Sequence, residues 1–434
     1  MELLRSPARR AFLRGAGALA AAAGAGPLQA APRRDVVVLT AYPDAVVSRF
    51  EATFEKAHPE YRLRVVWRMP HDALPYLRQA GQGGVDVYWS ASPRTYAQLK
   101  AEGAFQRAGI DRSGLPGQIG GTQIDDPDGF YLASEVAGYG FACNPAALRA
   151  RGLGVPQDWT DLADPAYAGQ LVMPDPVEVG FAPVMVDIPL QAYGWDTGWA
   201  LWSAIAANSR FAGRGGSFVA DEVGSGRRAV GLSIDFFVAE AIAGGAPLSF
   251  AYPRQGGVNP AHIAITAGSP NPAGARAFMA FVLSEGGQRL LTHPDIRKLP
   301  VRPSVYRGLP PTYHNPFAAA AEGGYRYDNA RGRGRAPVVA AAFGQALVRP
   351  HARLAVLWAR LRRAEAPVWN RVWPLLTAPP LSEAQADDEE LQMAFFTRRD
   401  DAAAEARAAA IEQAWADQVD ARLAQVEQAA GLPA

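Results

Sequence analysis

Three times between residues 35 and 105 the hydrophobic period of this chain changes in the same way, and that change constrains its fold most. The apolar run Val36-Val37-Val38-Leu39 stops at Thr40-Ala41-Tyr42. From Pro43 it gives way to a stretch where Val47, Phe50 and Phe54 recur at helical spacing. An unbroken apolar run of that length reads as a strand buried on both faces. Proline at a first helical position loses no hydrogen bond, because the N–H it lacks would be unpaired there. Leu63 to Trp67 repeats the pattern, followed by a helix around Leu74 and Leu77. Val85-Asp86-Val87-Tyr88-Trp89 repeats it again, followed by a helix that Ser92-Pro93 opens and Gly103 closes. Strands alternating with helices predict an α/β domain with a largely parallel sheet. Ligands bind such sheets beyond the carboxyl ends of the strands. Thr40 to Tyr42, Arg68 to His71, and Ser90 to Ser92 are therefore expected on one rim.

The 434 residues exceed one ordinary core. A second α/β unit opens near Tyr139, with Asn144-Pro145 starting a helix. Its expected strands are Gly169 to Met173 and Val230 to Ile234. After Pro260 another apolar run, His262 to Thr266, precedes a helix carrying Phe278, Phe281 and Val282. Beyond about Pro310 the chain turns alanine- and arginine-rich and reads as helical throughout. Leu354, Leu357, Trp358 and Leu361 form one apolar stripe, and Ile411, Trp415, Val419, Leu423 and Val426 another. Such stripes are packing faces. Ser382-Glu383-Ala384-Gln385 fits a capping box between them.

Charge and residue usage narrow the function. Lys+Arg is 43 and Asp+Glu 42, so no basic excess points to nucleic acid. A single cysteine, Cys143, excludes a CxxC motif, and the six histidines are scattered without metal-ligand spacing. No metal or cofactor is expected. Gly224-Ser225-Gly226 is a fragment of a nucleophile elbow without the strand-to-helix context, so no enzyme is expected. At the N-terminus, Arg9-Arg10-Ala11-Phe12-Leu13-Arg14 precedes an apolar run from Ala16 to Ala25 and small residues at Ala30-Ala31. A basic start, short apolar core and small-residue end describe an export signal, too short for a membrane span. Adjacent arginines before Phe-Leu resemble the twin-arginine signal. The mature protein is expected in the periplasm, beginning near Ala31.

The order of motifs carries a resemblance. Val38 to Pro43, Val85-Asp86-Val87-Tyr88-Trp89-Ser90, Trp159-Thr160-Asp161-Leu162, Met173-Pro174-Asp175-Pro176, Val230 to Phe237, Tyr252-Pro253 and Asn271-Pro272 through Gly287-Gln288 follow one another over residues 35–310. In this the chain resembles the bacterial extracellular solute-binding proteins of ABC importers, of the ferric-ion, phosphosugar and phosphoglycerate type. The resemblance implies a two-lobed periplasmic-binding-protein fold (type II), closing on a solute, with a helical C-terminal extension. It implies a signal at 1–30, a first lobe from 31–139 and 263–310, a second lobe at 140–262, and the extension at 311–434. Crossovers are expected near Gly138 to Ala142 and Asn259 to Ala264. The implied partners are a small organic anion and ABC permease subunits, or a sensor kinase if the protein is a periplasmic receptor for a two-component system. Ferric ion and polyamine are the alternative solutes. Two departures stand out: there is no Tyr-Tyr pair of the iron-binding kind, and Glu178-Val179-Gly180-Phe181 replaces a Ser-Gly-Thr-like anion-binding run.

The candidate solute contacts are Thr40, Ala41, Tyr42, Ser90, Ser92, Glu178, Gly180, Asp235 and Tyr252. Each has a plainer alternative. Thr40 to Tyr42 would serve as a turn, and Ser92 and Asp235 as helix N-caps. Glu178 would cap its helix or receive an amine. Arg254 joins Tyr252 beside Pro253, Arg68 and His71 suit surface ion pairs, and Trp195, Trp199 and Trp202 suit a core.

Overall fold

The computed structural model describes residues 33–213, 215–399 and 401–431. The expected export signal lies outside the described residues. The first unit runs β1 (Arg34–Thr40), α1 (Asp44–Ala57), β2 (Tyr61–Trp67), α2 (Pro70–Leu77), β3 (Val87–Ser90) and α3 (Pro93–Ala101). Short strands β4 (Phe105–Gln106), β5 (Gln118–Ile119) and β6 (Thr122–Gln123) lead into the long β7 (Tyr131–Cys143). The second unit holds α4 (Pro145–Ala150), β8 (Leu171–Pro174), α5 (Ala182–Tyr193), α6 (Trp195–Asn208), β9 (Ser209–Ala212), α7 (Gly216–Gly224), β10 (Val230–Ile234), α8 (Asp235–Ala243) and β11 (Ser249–Ala251). Then come β12 (Val258–Thr266), α9 (Pro272–Leu283), α10 (Glu285–Leu290) and β13 (Leu299–Pro300).

The strand order is β2-β1-β3-β12-β7-β10-β8-β9. β1, β2 and β3 are parallel, as are β8, β9 and β10. Between these sets, β7 and β12 run antiparallel to their neighbours. The sheet is therefore mixed, which corrects the expected largely parallel one. The local pattern of strand then helix describes each set, but β7 crosses from the first unit to the second and β12 crosses back, so the two run antiparallel to each other and to the strands they flank.

The register of β7 fixes how the sets face. Tyr131 lies opposite Ala264 near the amino edge of the first set, and Gly138 lies opposite Val258 beyond its carboxyl edge. The next residue, Tyr139, already lies opposite Ile234, at the carboxyl end of β10. Cys143 then leaves opposite Val230, at the amino end. One strand thus passes from unit to unit so that their carboxyl edges face each other across Gly138-Tyr139.

Apolar clusters fill both faces of each set. The C-terminal segment is helical, as its stripes predicted: α11 (Pro316–Ala321), α12 (Asn329–Phe343), α13 (His351–Leu361), α14 (Ala366–Thr377), α15 (Glu383–Ala386), α16 (Glu389–Thr397) and α17 (Ala402–Ala429). Leu354, Leu357, Trp358 and Leu361 are buried, and so are Trp415, Val419, Leu423 and Val426. They pack into the core of the second unit, where Trp195, Trp199 and Trp202 also lie. Ser382 forms the expected capping box with Gln385. The segment is shared, however. Phe317 and Tyr325 pack with the first unit, and from Tyr327 onward the buried apolar side chains pack with the second, although Tyr327 and Asn329 still hydrogen-bond Thr122 and Gln123 of the first. The chain therefore passes between the units a third time, over Tyr325 to Tyr327.

Candidate functional site

All six helices that follow a parallel strand begin without a side-chain cap. The N-cap positions of α1, α2, α3, α5, α7 and α8 are Pro43, Met69, Ser92, Phe181, Gly215 and Ile234, and no side chain there accepts a helix N–H. Helices α4 and α9 start from the opposite edges and are capped by Asn144 and Asn271. Uncapped N-termini carry free N–H groups and a partial positive charge. Here they gather along the two facing edges. The expected caps are corrected accordingly. The Ser92 hydroxyl pairs with Thr95 Oγ1 at 2.7 Å instead of a helix N–H. Pro43 is itself the N-cap of α1, and Asp235 is the first residue of α8. Glu178 is exposed, and α5 starts beyond it at Ala182.

Between the edges lies a floor of buried polar groups. The Glu135 carboxylate accepts hydrogen bonds from the Tyr42 and Ser134 hydroxyls. Lys298 Nζ approaches it at 3.2 Å. The same ammonium sits 4.7 Å from the centre of the Tyr42 ring and 5.6 Å from that of Phe236, in the other unit. The Lys298 side chain is only 11% exposed. Asp235 Oδ2 accepts from Gly138 N–H at 2.8 Å and from the Tyr252 hydroxyl at 2.9 Å. The Tyr252 ring stacks on His314 at 3.8 Å, and His314 Nε2 contacts the Tyr325 hydroxyl at 2.6 Å.

The structure thus brings Tyr42, Asp235 and Tyr252 together at the floor. Thr40 is fully buried, and its hydroxyl accepts from the Tyr42 N–H. Ser90 is buried with its N–H donated to the Tyr96 hydroxyl, and Ala41 and Ser92 are half-buried on the same rim. Glu178 and Gly180 are exposed on the opposite rim. Arg68 lies over the Tyr76 ring, Arg254 pairs with Asp158, and His71 approaches Asp72 at 3.5 Å.

Sequence reasoning missed Glu135 and Lys298, and each had left a trace. Glu135 is the one charge in the 13 residues of β7. Lysine occurs only at 56, 100 and 298, in a chain that otherwise uses arginine. A compact ammonium fits between two rings and a carboxylate where a planar guanidinium would not.

Burial pushes the Asp235 carboxyl up to about 6, although the Gly138 and Tyr252 hydrogen bonds and the charge of Lys298 pull it down. A carboxyl raised from 3.8 favours the fold most below pH 4, and that contribution is lost as pH rises through 6. His314 works against it. Burial pulls its imidazole down to about 4, so its contribution is lost as pH falls through that range. The comparison with Asp235→Asn separates the two. Wild type should gain about 1 kcal/mol on the variant between pH 7 and pH 5 in urea unfolding. A pH-independent difference would contradict the assignment.

Among the described residues no helix is long and apolar enough to cross a membrane, and no group of His, Cys, Asp or Glu could hold a metal. A family model described as bacterial extracellular solute-binding protein matches residues 85–317. The phosphoglycerate transport regulatory protein PgtC of Salmonella typhimurium is 27% identical over 363 residues, covering 82% of this chain and 88% of that protein. The periplasmic binding protein AfuA of Actinobacillus pleuropneumoniae, with exogenous fructose-6-phosphate bound, aligns with a TM-score of 0.52 at 18% identity, over 73% of this chain and 99% of that one. Iron-bound HitA of Pseudomonas aeruginosa aligns at 0.53 and 16%, over 70% and 99%. These structures share the fold of the type II periplasmic binding proteins with this chain.

Proposed function

The chain belongs to the bacterial extracellular solute-binding proteins, and on that premise we propose that it captures a small organic anion between two lobes and delivers it to an ABC-type permease. The lobes are proposed at residues 31–139 with 263–310, and at 140–262, with the extension at 311–434. Residues 1–30 are proposed to direct twin-arginine export to the periplasm. The observation that carries the reading is the set of six uncapped helix N-termini on the facing edges, with the Lys298 ammonium held between Tyr42 of one unit and Phe236 of the other.

Magnitudes set what each part must do. A helix N-terminus contributes about 0.3–1 kcal/mol, up to about 2 when partly buried. Micromolar binding needs about 8 kcal/mol. Charge-assisted hydrogen bonds, at about 1.5–3 kcal/mol each, supply much of the rest. Lys298, the N–H groups beside Thr40, Ser90, Ser92 and Gly180, and the Tyr42 and Tyr252 hydroxyls are the candidates. Asp235 suits sugar hydroxyls at the neutral end. A phosphorylated sugar or three-carbon acid fits this set, and the names of the phosphoglycerate relative and the fructose-6-phosphate complex support it. The word regulatory in that relative's name favours one second reading, a receptor that presents its solute to a sensor kinase.

Calorimetry with 3-phosphoglycerate, fructose 6-phosphate and spermidine tests the solute class. An anion should bind, and Glu178→Ala should strengthen it by less than about fivefold, since the carboxylate is exposed and screened. Loss of all binding in Glu178→Ala, with spermidine alone binding wild type, would overturn the anion assignment.

A further inference from the structure

We propose that the C-terminal extension is a clasp on one flank of the cleft, with Arg94 of α3 and Phe396 of α16 as positioning residues that govern solute retention. The two halves belong to different units. Helix α3 is held in the first unit by Tyr96 and Leu99, buried against Tyr88 and Phe105. Helix α16 is carried by the second. Its Phe395 stacks on Trp415 of α17 at 5.6 Å within that unit's core. Arg398, just past its end, pairs with Glu405 and Glu412. Burying Phe395 turns the next residue outward, and Phe396 is 51% exposed. Arg94 meets it there, its guanidinium carbon 5.0 Å from the ring centre. A second point of contact lies at the start of α12, where the Asn329 side chain accepts from the Gln123 N–H at 3.1 Å and donates to the Gln123 carbonyl at 2.8 Å.

The place of the contact gives it a role. Arg94 stands in the first turn of α3, at the carboxyl edge that faces the second unit. Rotation about the strands at Gly138-Tyr139 moves points in proportion to their distance from that axis. A cation–π contact fades beyond about 6 Å. It therefore favours the arrangement in which it is made over any more open one, by about two- to fivefold in their ratio. This holds whether the solute is an anion or a cation.

The test needs no solute. Spin labels at Gln98→Cys on α3 and Gln413→Cys on α17 report the separation across the flank, and the native Cys143 is buried. In the full chain without added solute, Phe396→Ala and Arg94→Ala should each move the distance distribution toward longer values, by that two- to fivefold. The double variant should go no further than either single one. Phe396→Tyr keeps the ring face and should restore the wild-type distribution. An unchanged distribution in Arg94→Ala, which leaves α16 intact, would overturn the clasp, as would additive effects in the double variant.

Discussion

Lys298→Met should weaken anion binding by about 10- to 150-fold and also destabilise the fold. The binding loss is that of one charge-assisted hydrogen bond at about 1.5–3 kcal/mol. The stability loss has a different origin. Glu135 is buried, and Lys298 is the cation that faces it at 3.2 Å. Methionine keeps much of the aliphatic stem but strands the carboxylate, and breaking a buried pair in this way costs about 3–5 kcal/mol. The two effects separate in Lys298→Met with Glu135→Gln. The amide is neutral, and its oxygen can accept from one of the Tyr42 and Ser134 hydroxyls while its NH2 donates to the other. Most of the stability should return while the affinity for 3-phosphoglycerate or fructose 6-phosphate stays low. A double variant that binds like wild type would remove Lys298 from the solute contacts and leave it a purely structural cation.

Arg335→Met should destabilise the second unit by about 3–5 kcal/mol, read as a lower urea midpoint by tryptophan fluorescence. Arg335 lies in α12 and is fully buried. Its guanidinium meets Asp187 Oδ1 of α5 at 2.6 and 2.8 Å. It also approaches Glu383 at 3.3 Å and Asp387 at 3.4 Å, and lies over the Trp195 ring. Asp187 is buried too, and burial pushes its carboxyl up while Arg335 pulls it down. Without the guanidinium it must ionise unpaired or take up a proton. Adding Asp187→Leu removes that stranded charge and should recover most of the loss, because a buried pair exchanged for apolar groups is often neutral or better. A loss below about 1 kcal/mol in the single variant would show that α12 is held by its apolar face alone.

The local elements were legible from the sequence because their causes are local. The run Val36 to Leu39 and the helical spacing of Val47, Phe50 and Phe54 report backbone period directly. The Asn144 cap and the Ser382 capping box came out as expected, since each involves residues two or three positions apart. Ser92 failed as a cap for a reason the sequence did not hold. A second hydroxyl, Thr95, competes for it one turn on, and only geometry decides between that hydroxyl and the backbone N–H.

The floor of the cleft shows where legibility stops. Tyr42 and Asp235 were reached by reading strand ends, because the carboxyl edge of an α/β unit is where loops converge, and Tyr252 through the family resemblance, beside Pro253 in a loop. Glu135 and Lys298 were not, since they meet only when β7 and the approach to β13 are paired. The mixed sheet has the same origin. Period and composition establish that strands and helices alternate, that there are two units, and that the C-terminal segment is a set of amphipathic helices. Strand direction, the facing of the two edges, the third passage at Tyr325 to Tyr327 and the packing of the last helices on the second core were settled by tertiary structure. Those features depend on which distant surfaces bury one another, and a residue's own neighbours along the chain carry no record of that choice.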